Sequence, residues 1–160
     1  MFELDVRNKA PMLTWIGCVL APEGTRLNAV VSLPEGGLAA TSFQTAGRGS
    51  WQKGENSGEV WEWKPGTTAW KMVPGSEASR PNGLEVSSDG KWFYVGITRG
   101  RSVIRLSRGE EPVKKDVISV GHDVDNLHWA PDGRLFVAGF ILEGQNATMG
   151  SDHVSKLDPK

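Results

Sequence analysis

Three oxygen-bearing side chains, Asn28, Asn82 and Asp125, stand at one offset in three stretches that superpose: NAVVSLPEGGLAAT from Asn28, NGLEVSSDGKWFYV from Asn82 and DNLHWAPDGRLFVA from Asp125. Asn126 adds a fourth oxygen beside Asp125. Amide and carboxylate oxygens are hard donors. Gathered around one point with little net charge, they suit Ca²⁺ and, less tightly, Mg²⁺ or Mn²⁺. An ion held there can polarise a carbonyl or lower the pKa of a water. The chain has a single cysteine, Cys18, and no Cys/His cluster of the kind that holds structural zinc. Taken alone, each of the three side chains reads first as a turn or strand-start cap bonded to nearby backbone. Their recurrence at one repeat position favours a shared task.

That task requires elements that bring the three positions together. In each unit an acid follows seven residues after the first side chain (Glu35, Asp89, Asp132), and a glycine comes directly after it (Gly36, Gly90, Gly133). Glycine supplies the positive φ of a tight hairpin and the acid favours the turn position before it. Short β-rich runs recur along the whole chain, among them NAVVSL, GLEVS, KWFYVGI, SVIRLS and RLFVAGF, with breaks rich in Gly, Pro, Asp and Ser. No helical period lasts beyond about two turns. The pattern predicts an all-β chain of antiparallel four-stranded blades, each about 45 residues, in a β-propeller. A β-sandwich does not require the same polar residue at one place in three successive units. The strands amount to about three blades, half of a six-bladed propeller, in a single partial domain over 1–160 with units starting near 28, 82 and 125. The first strand of each blade lines the axis, so Asn28, Asn82 and Asp125 are expected to face one mouth. An arc of three blades leaves sheet edges bare, which makes the chain part of a longer propeller or one of several that associate to close a ring.

The bulk properties narrow the partners. A net charge of -1 over 160 residues gives no electrostatic reason to expect nucleic acid or an anionic membrane. No apolar window approaches the length of a membrane span, and MFELDVRNK lacks the pattern of a signal peptide. As written, the sequence reads as cytoplasmic, and the Asn146-Ala-Thr sequon matters only in a secreted chain. Cys18, in LTWIGCVL, reads as a buried thiol. Trp61, Trp63, Trp92 and Trp129 read as packing between blades. His122, just before the third unit, is the candidate to reach the mouth and contact substrate, with an exposed loop role as its alternative. His128 is expected to face a neighbouring sheet, and His153 to sit in a loop. The polar, Gly-rich segment 44–57 reads as a long loop that either covers the mouth or decorates the surface.

RPNGLEVSSDGKWFYVG and DVDNLHWAPDGRLFVAG resemble the gluconolactonase, regucalcin and paraoxonase-like six-bladed propellers, which are akin to strictosidine synthase. LNAVVSLPEGGLAAT is similar to the preceding blade of that family, and GEVWEWKPG and VIRLSRGEEPVKKD to its outer strands, so the resemblance spans nearly the whole chain. It implies an axial Ca²⁺, or another divalent cation such as Zn²⁺, Mn²⁺ or Mg²⁺, held at Asn28, Asn82 and Asp125 with Asn126 beside it. It further implies hydrolysis of a lactone or related ester, with Asp125 as catalytic base or nucleophile. The family's acidic ligand from its first blade has no counterpart: Glu3 and Glu23 do not stand in the right motif. A non-catalytic propeller segment serving a binding or structural role is therefore the competing expectation.

Overall fold

A computed structural model of the chain describes residues 1–7, 10–142 and 150–159. The Asn146 sequon lies outside these residues. Among them there are thirteen strands, one short 3-10 turn at Trp51–Lys53 and no α-helix, hence no helix long and apolar enough to cross a membrane. All strand pairings are antiparallel.

The strands form four sheets in chain order. A hairpin of β1 (Phe2–Asp5) and β2 (Met12–Trp15) comes first. A complete four-stranded blade follows, made of β3 (Thr25–Ser32), β4 (Leu38–Thr45), β5 (Glu59–Trp63) and β6 (Lys71–Met72). The second complete blade contains β7 (Pro81–Val86), β8 (Trp92–Ile97), β9 (Ser102–Ser107) and β10 (Lys115–Ser119). The third has three strands, β11 (Asp123–Trp129), β12 (Leu135–Leu142) and β13 (Gly150–Leu157). This is the partial propeller expected from the repeats.

The three acid–glycine turns occur where the repeats put them. Gly36, Gly90 and Gly133 have φ of 91°, 71° and 77°, and each donates its N–H to the carbonyl three residues earlier, on Leu33, Ser87 and Ala130. Successive blades bury their facing sides against one another. Leu33, Ala39 and Val60 of the first blade pack on Leu84, Phe93, Val95 and Leu106 of the second. Tyr94 and Val103 of the second pack on Val124, Leu127, Leu135 and Val137 of the third. Strand alternation decides this division, because every second side chain of a blade faces its neighbour.

Several local expectations need correction. Cys18 is exposed rather than buried, because β2 ends at Trp15 and the following residues run outside any sheet. Trp92 and Trp129 do pack at the boundary between the second and third blades. Trp61 and Trp63 instead bond within their own blade, donating to Glu59 Oε1 at 2.7 Å and to the Thr67 carbonyl at 2.9 Å. His153 lies in β13 rather than in a loop. Asn28, Asn82 and Asp125 lie inside their strands rather than at a strand-start cap, since β3, β7 and β11 each begin before them.

Candidate functional site

Each of the three side chains sits on a β-bulge of the first strand of its blade. Pairing between β3 and β4 steps from Leu27–Ser42 to Val30–Ala40, which leaves Asn28 and Ala29 in the irregular stretch. Between β7 and β8 it steps from Pro81–Ile97 to Leu84–Val95, across Asn82 and Gly83. Between β11 and β12 it steps from Val124–Gly139 to Asn126–Ala138, skipping Asp125. Each step inserts one extra residue. A bulge frees that residue from the ladder, bends the strand and re-aims its side chain. This is the physical reason for poor strand formers at these positions.

Gly83 has a separate reason to be glycine. A Cβ there would lie 2.7 Å from the Asp125 carbonyl oxygen, 2.8 Å from the Leu127 nitrogen and 2.9 Å from Asn126 Cα. The two bulged strands therefore approach backbone to backbone, and this closeness joins Asn82 to Asp125. Asn82 Nδ2 donates to Asp125 Oδ1 at 3.0 Å and to Thr98 Oγ1 at 3.2 Å. The Thr98 hydroxyl donates onward to the Val124 carbonyl at 2.9 Å, beside the Asp125 bulge. The Thr41 hydroxyl donates to the Asn82 carbonyl at 2.6 Å and accepts the Ala29 N–H at 3.1 Å, tying in the Asn28 bulge.

This network fixes the amide orientation. The Thr98 proton is spent on Val124, so Thr98 can only accept, and a carboxylate can only accept. Both contacts require the NH₂ end of Asn82, and its Oδ1 points elsewhere. Asn82 is 6 % exposed, and that oxygen is buried with no hydrogen-bond partner among the described residues. A buried amide oxygen left unpaired costs about 1–3 kcal/mol. The side chains that the Asn82 amide touches, Thr98 and Asp125, present oxygen only, a chemistry that suits a hard divalent cation. Among the described residues no group of three His, Cys, Asp or Glu could hold a metal by itself.

The remaining predicted residues divide. Asn28 and Asn126 are exposed, and Asp125 is half-buried. His122 is 2 % exposed, with Nε2 within hydrogen-bond distance of Ser155 Oγ at 3.0 Å and its ring stacked on His153 at 5.7 Å between centroids. Its imidazole packs on β13, and Gly139 gives it room. His128 does face the neighbouring blade, with Nδ1 3.2 Å from Glu85 Oε1. Burial holds the Glu85 carboxyl above its ordinary range against the opposing pull of that contact. Segment 44–57 carries the 3-10 turn, and the Arg80 guanidinium lies 4.3 Å over the Trp51 ring. The Arg80 N–H donates to Ser57 Oγ at 2.9 Å, so the segment is anchored at the start of β7. Arg80 itself has φ of 55°, an uncommon conformation outside glycine. A cavity of about 350 Å³ opens here, lined by Arg80, Thr98, Arg99, Asp123, Phe140 and Asp152. Sequence reasoning missed Thr41, Thr98 and Arg80. Thr41 and Thr98 act across a blade boundary, and neither stands at a repeated offset.

No family model and no curated protein sequence matches the chain. Its fold is similar to that of several solved structures. A luciferin-regenerating enzyme superposes with a TM-score of 0.55 at 19% identity, over 84% of this chain and 47% of that one. A proposed glucose dehydrogenase of Thermus thermophilus gives 0.55 at 20%, over 80% and 44%. A proposed gluconolactonase gives 0.54 at 18%, over 88% and 51%. The chain spans about half the length of the structures it matches. At these identities the likeness establishes the fold.

Proposed function

We propose that this chain contributes the cation-holding half of a divalent-metal-dependent hydrolase of lactones or related esters. The observation that carries the reading is the orphaned Asn82 Oδ1, buried on an amide whose NH₂ end is held by the Asp125 carboxylate. Asn28, Asn82, Asp125 and Asn126 would hold the ion, and hard oxygens favour Ca²⁺ over Zn²⁺, which prefers nitrogen and sulfur. Bound there, the ion would polarise a substrate carbonyl and lower the pKa of a water. Asp125 would act as base. Its Oδ1 is held by the Asn82 amide, and Oδ2 would accept the proton of the attacking water. Thr98 and Thr41 keep the bulges in register. His122, buried just before β11 with its ring against Ser155 of β13, would brace the two strands. The fold shared with a proposed gluconolactonase is in keeping with this reading.

Calcium titration by calorimetry tests it. Wild type should bind, and Asp125→Ala and Asn82→Ala should each bind at least tenfold more weakly. No binding, or equal binding by all three, overturns the reading. The single carboxylate among the bulged positions favours a second reading, a propeller segment that binds a small molecule without turning it over. A Ca²⁺-loaded protein that binds gluconolactone and leaves it intact in a pH-stat assay would select that alternative.

A further inference from the structure

Two arginines beside the candidate site are held in place without an ionic partner. Arg80 precedes β7 and Arg99 follows β8, so both stand at the end of the second blade where Thr98 accepts from Asn82. The Trp51 ring gathers them. The Arg80 guanidinium lies 4.3 Å from its centre and that of Arg99 5.2 Å, and Arg80 is also 5.7 Å from the Phe43 ring. Trp51 is anchored in turn, because Arg48 of the same segment donates to Oε2 of the fully buried Glu59 at 2.8 Å. Arg48, Arg101, Arg105 and Arg108 each reach a carboxylate. Among the described residues Arg80 and Arg99 have neither an ion pair nor a side-chain hydrogen bond. Stacking on a ring uses none of a guanidinium's five N–H donors. Two like charges gathered on one ring repel each other, and an anion within reach of both relieves that repulsion.

Both arginines line the cavity of about 350 Å³, together with Thr98, Asp123, Phe140 and Asp152. Its volume falls in the range of small-molecule sites, roughly 300–1,000 Å³. The Asp123 carboxylate is already answered by Arg101 Nε at 3.8 Å. Asp152 is exposed and has no cation partner among the described residues; its oxygens suit a hydroxyl donor. Backbone strain concentrates here as well. Arg80 and Arg101, with φ of 55° and 45°, are the two non-glycine residues in the left-handed region among the described ones. Such strain persists where the surrounding structure holds a side chain to a task. We propose that this cavity binds an anionic polyhydroxy compound, a sugar acid or a sugar phosphate. Arg80 and Arg99 take its carboxylate or phosphate, whose paired oxygens match the guanidinium fork, and Asp152 accepts from a hydroxyl. That the molecule is a substrate of the hydrolase, an ester or lactone with an additional negative group, rests on the reading above; the binding itself does not.

Calorimetric titration of the calcium-free chain with gluconate, glucose 6-phosphate and glucose tests the site, at low salt so that screening does not mask it. At least one of the two anions should bind and glucose should not. Binding of gluconate alone assigns the site to a carboxylate, and binding of glucose 6-phosphate alone assigns it to a phosphate. Arg99→Gln changes an exposed side chain, and Arg80→Asn places a residue that tolerates positive φ. Both should keep the wild-type circular dichroism and bind the anion at least tenfold more weakly. No binding of either anion, equal binding of glucose, or variants that bind as wild type does would overturn the site. Calcium titration of the same proteins separates it from the cation reading. A wild type that binds the anion and no Ca²⁺ supports the anion site and removes the cation reading. Binding of Ca²⁺ without either anion does the reverse.

Discussion

Thr98→Val isolates the network that orients Asn82. Thr98 is 2 % exposed, donates to the Val124 carbonyl at 2.9 Å and accepts from Asn82 Nδ2 at 3.2 Å. Valine has nearly the same shape and leaves no cavity. It takes a donor from one buried group and an acceptor from another, at about 1–1.5 kcal/mol each. The extra methyl group offsets about 0.5–0.8 kcal/mol by burial. The net loss is about 2 kcal/mol, or about 4–8 °C in Tm for a chain of this size. Thr98→Ser keeps both hydrogen bonds and loses one methyl, so it should cost about 1 kcal/mol or less. Urea unfolding followed by tryptophan fluorescence measures both, since Trp129 lies on the same inter-blade boundary. Thr98→Val within about 0.5 kcal/mol of wild type, or Thr98→Ser as costly as Thr98→Val, would refute the idea that this hydroxyl holds the two blades in register.

Two further outcomes follow from the same geometry. Gly83→Ala should destabilise by about 2–3 kcal/mol, because the added Cβ meets three backbone atoms of β11 at 2.7–2.9 Å; thermal melts check this, and a neutral result would mean the bulged strands can separate freely. Glu85→Gln should stabilise the protein more at pH 7 than at pH 4. Burial raises the Glu85 carboxyl above its ordinary 4.5, so the folded state gains below that value and loses as pH climbs through the raised one. Urea midpoints at the two pH values read the difference, and equal shifts at both would show that the carboxyl is not held up.

The sequence was most legible where local chemistry repeats. The acid–glycine turns announced their hairpins, because only a positive φ closes such a tight loop, and the alternation of apolar residues announced the strands. The recurrence of Asn28, Asn82 and Asp125 marked one place in three blades before any fold was known. Their setting was less legible. A bulge is a mismatch between two strands, and one strand alone does not reveal how many residues stand opposite it. His122 does precede β11, but its burial was not legible, because its partners Ser155 and His153 lie more than thirty residues away in β13. Cys18 read as buried because an apolar run looks the same whether or not a sheet receives it.

By itself the sequence therefore determined the class of the fold, its repeat and the three residues at the repeated position, all of which rest on short-range backbone preferences and on residue type. Tertiary structure alone decided that Asn82 and Asp125 touch, that Thr98 turns the amide and that Asn82 Oδ1 is left without a partner. Those facts depend on how closely two blades approach, and that distance is set by Gly83 against the backbone of β11.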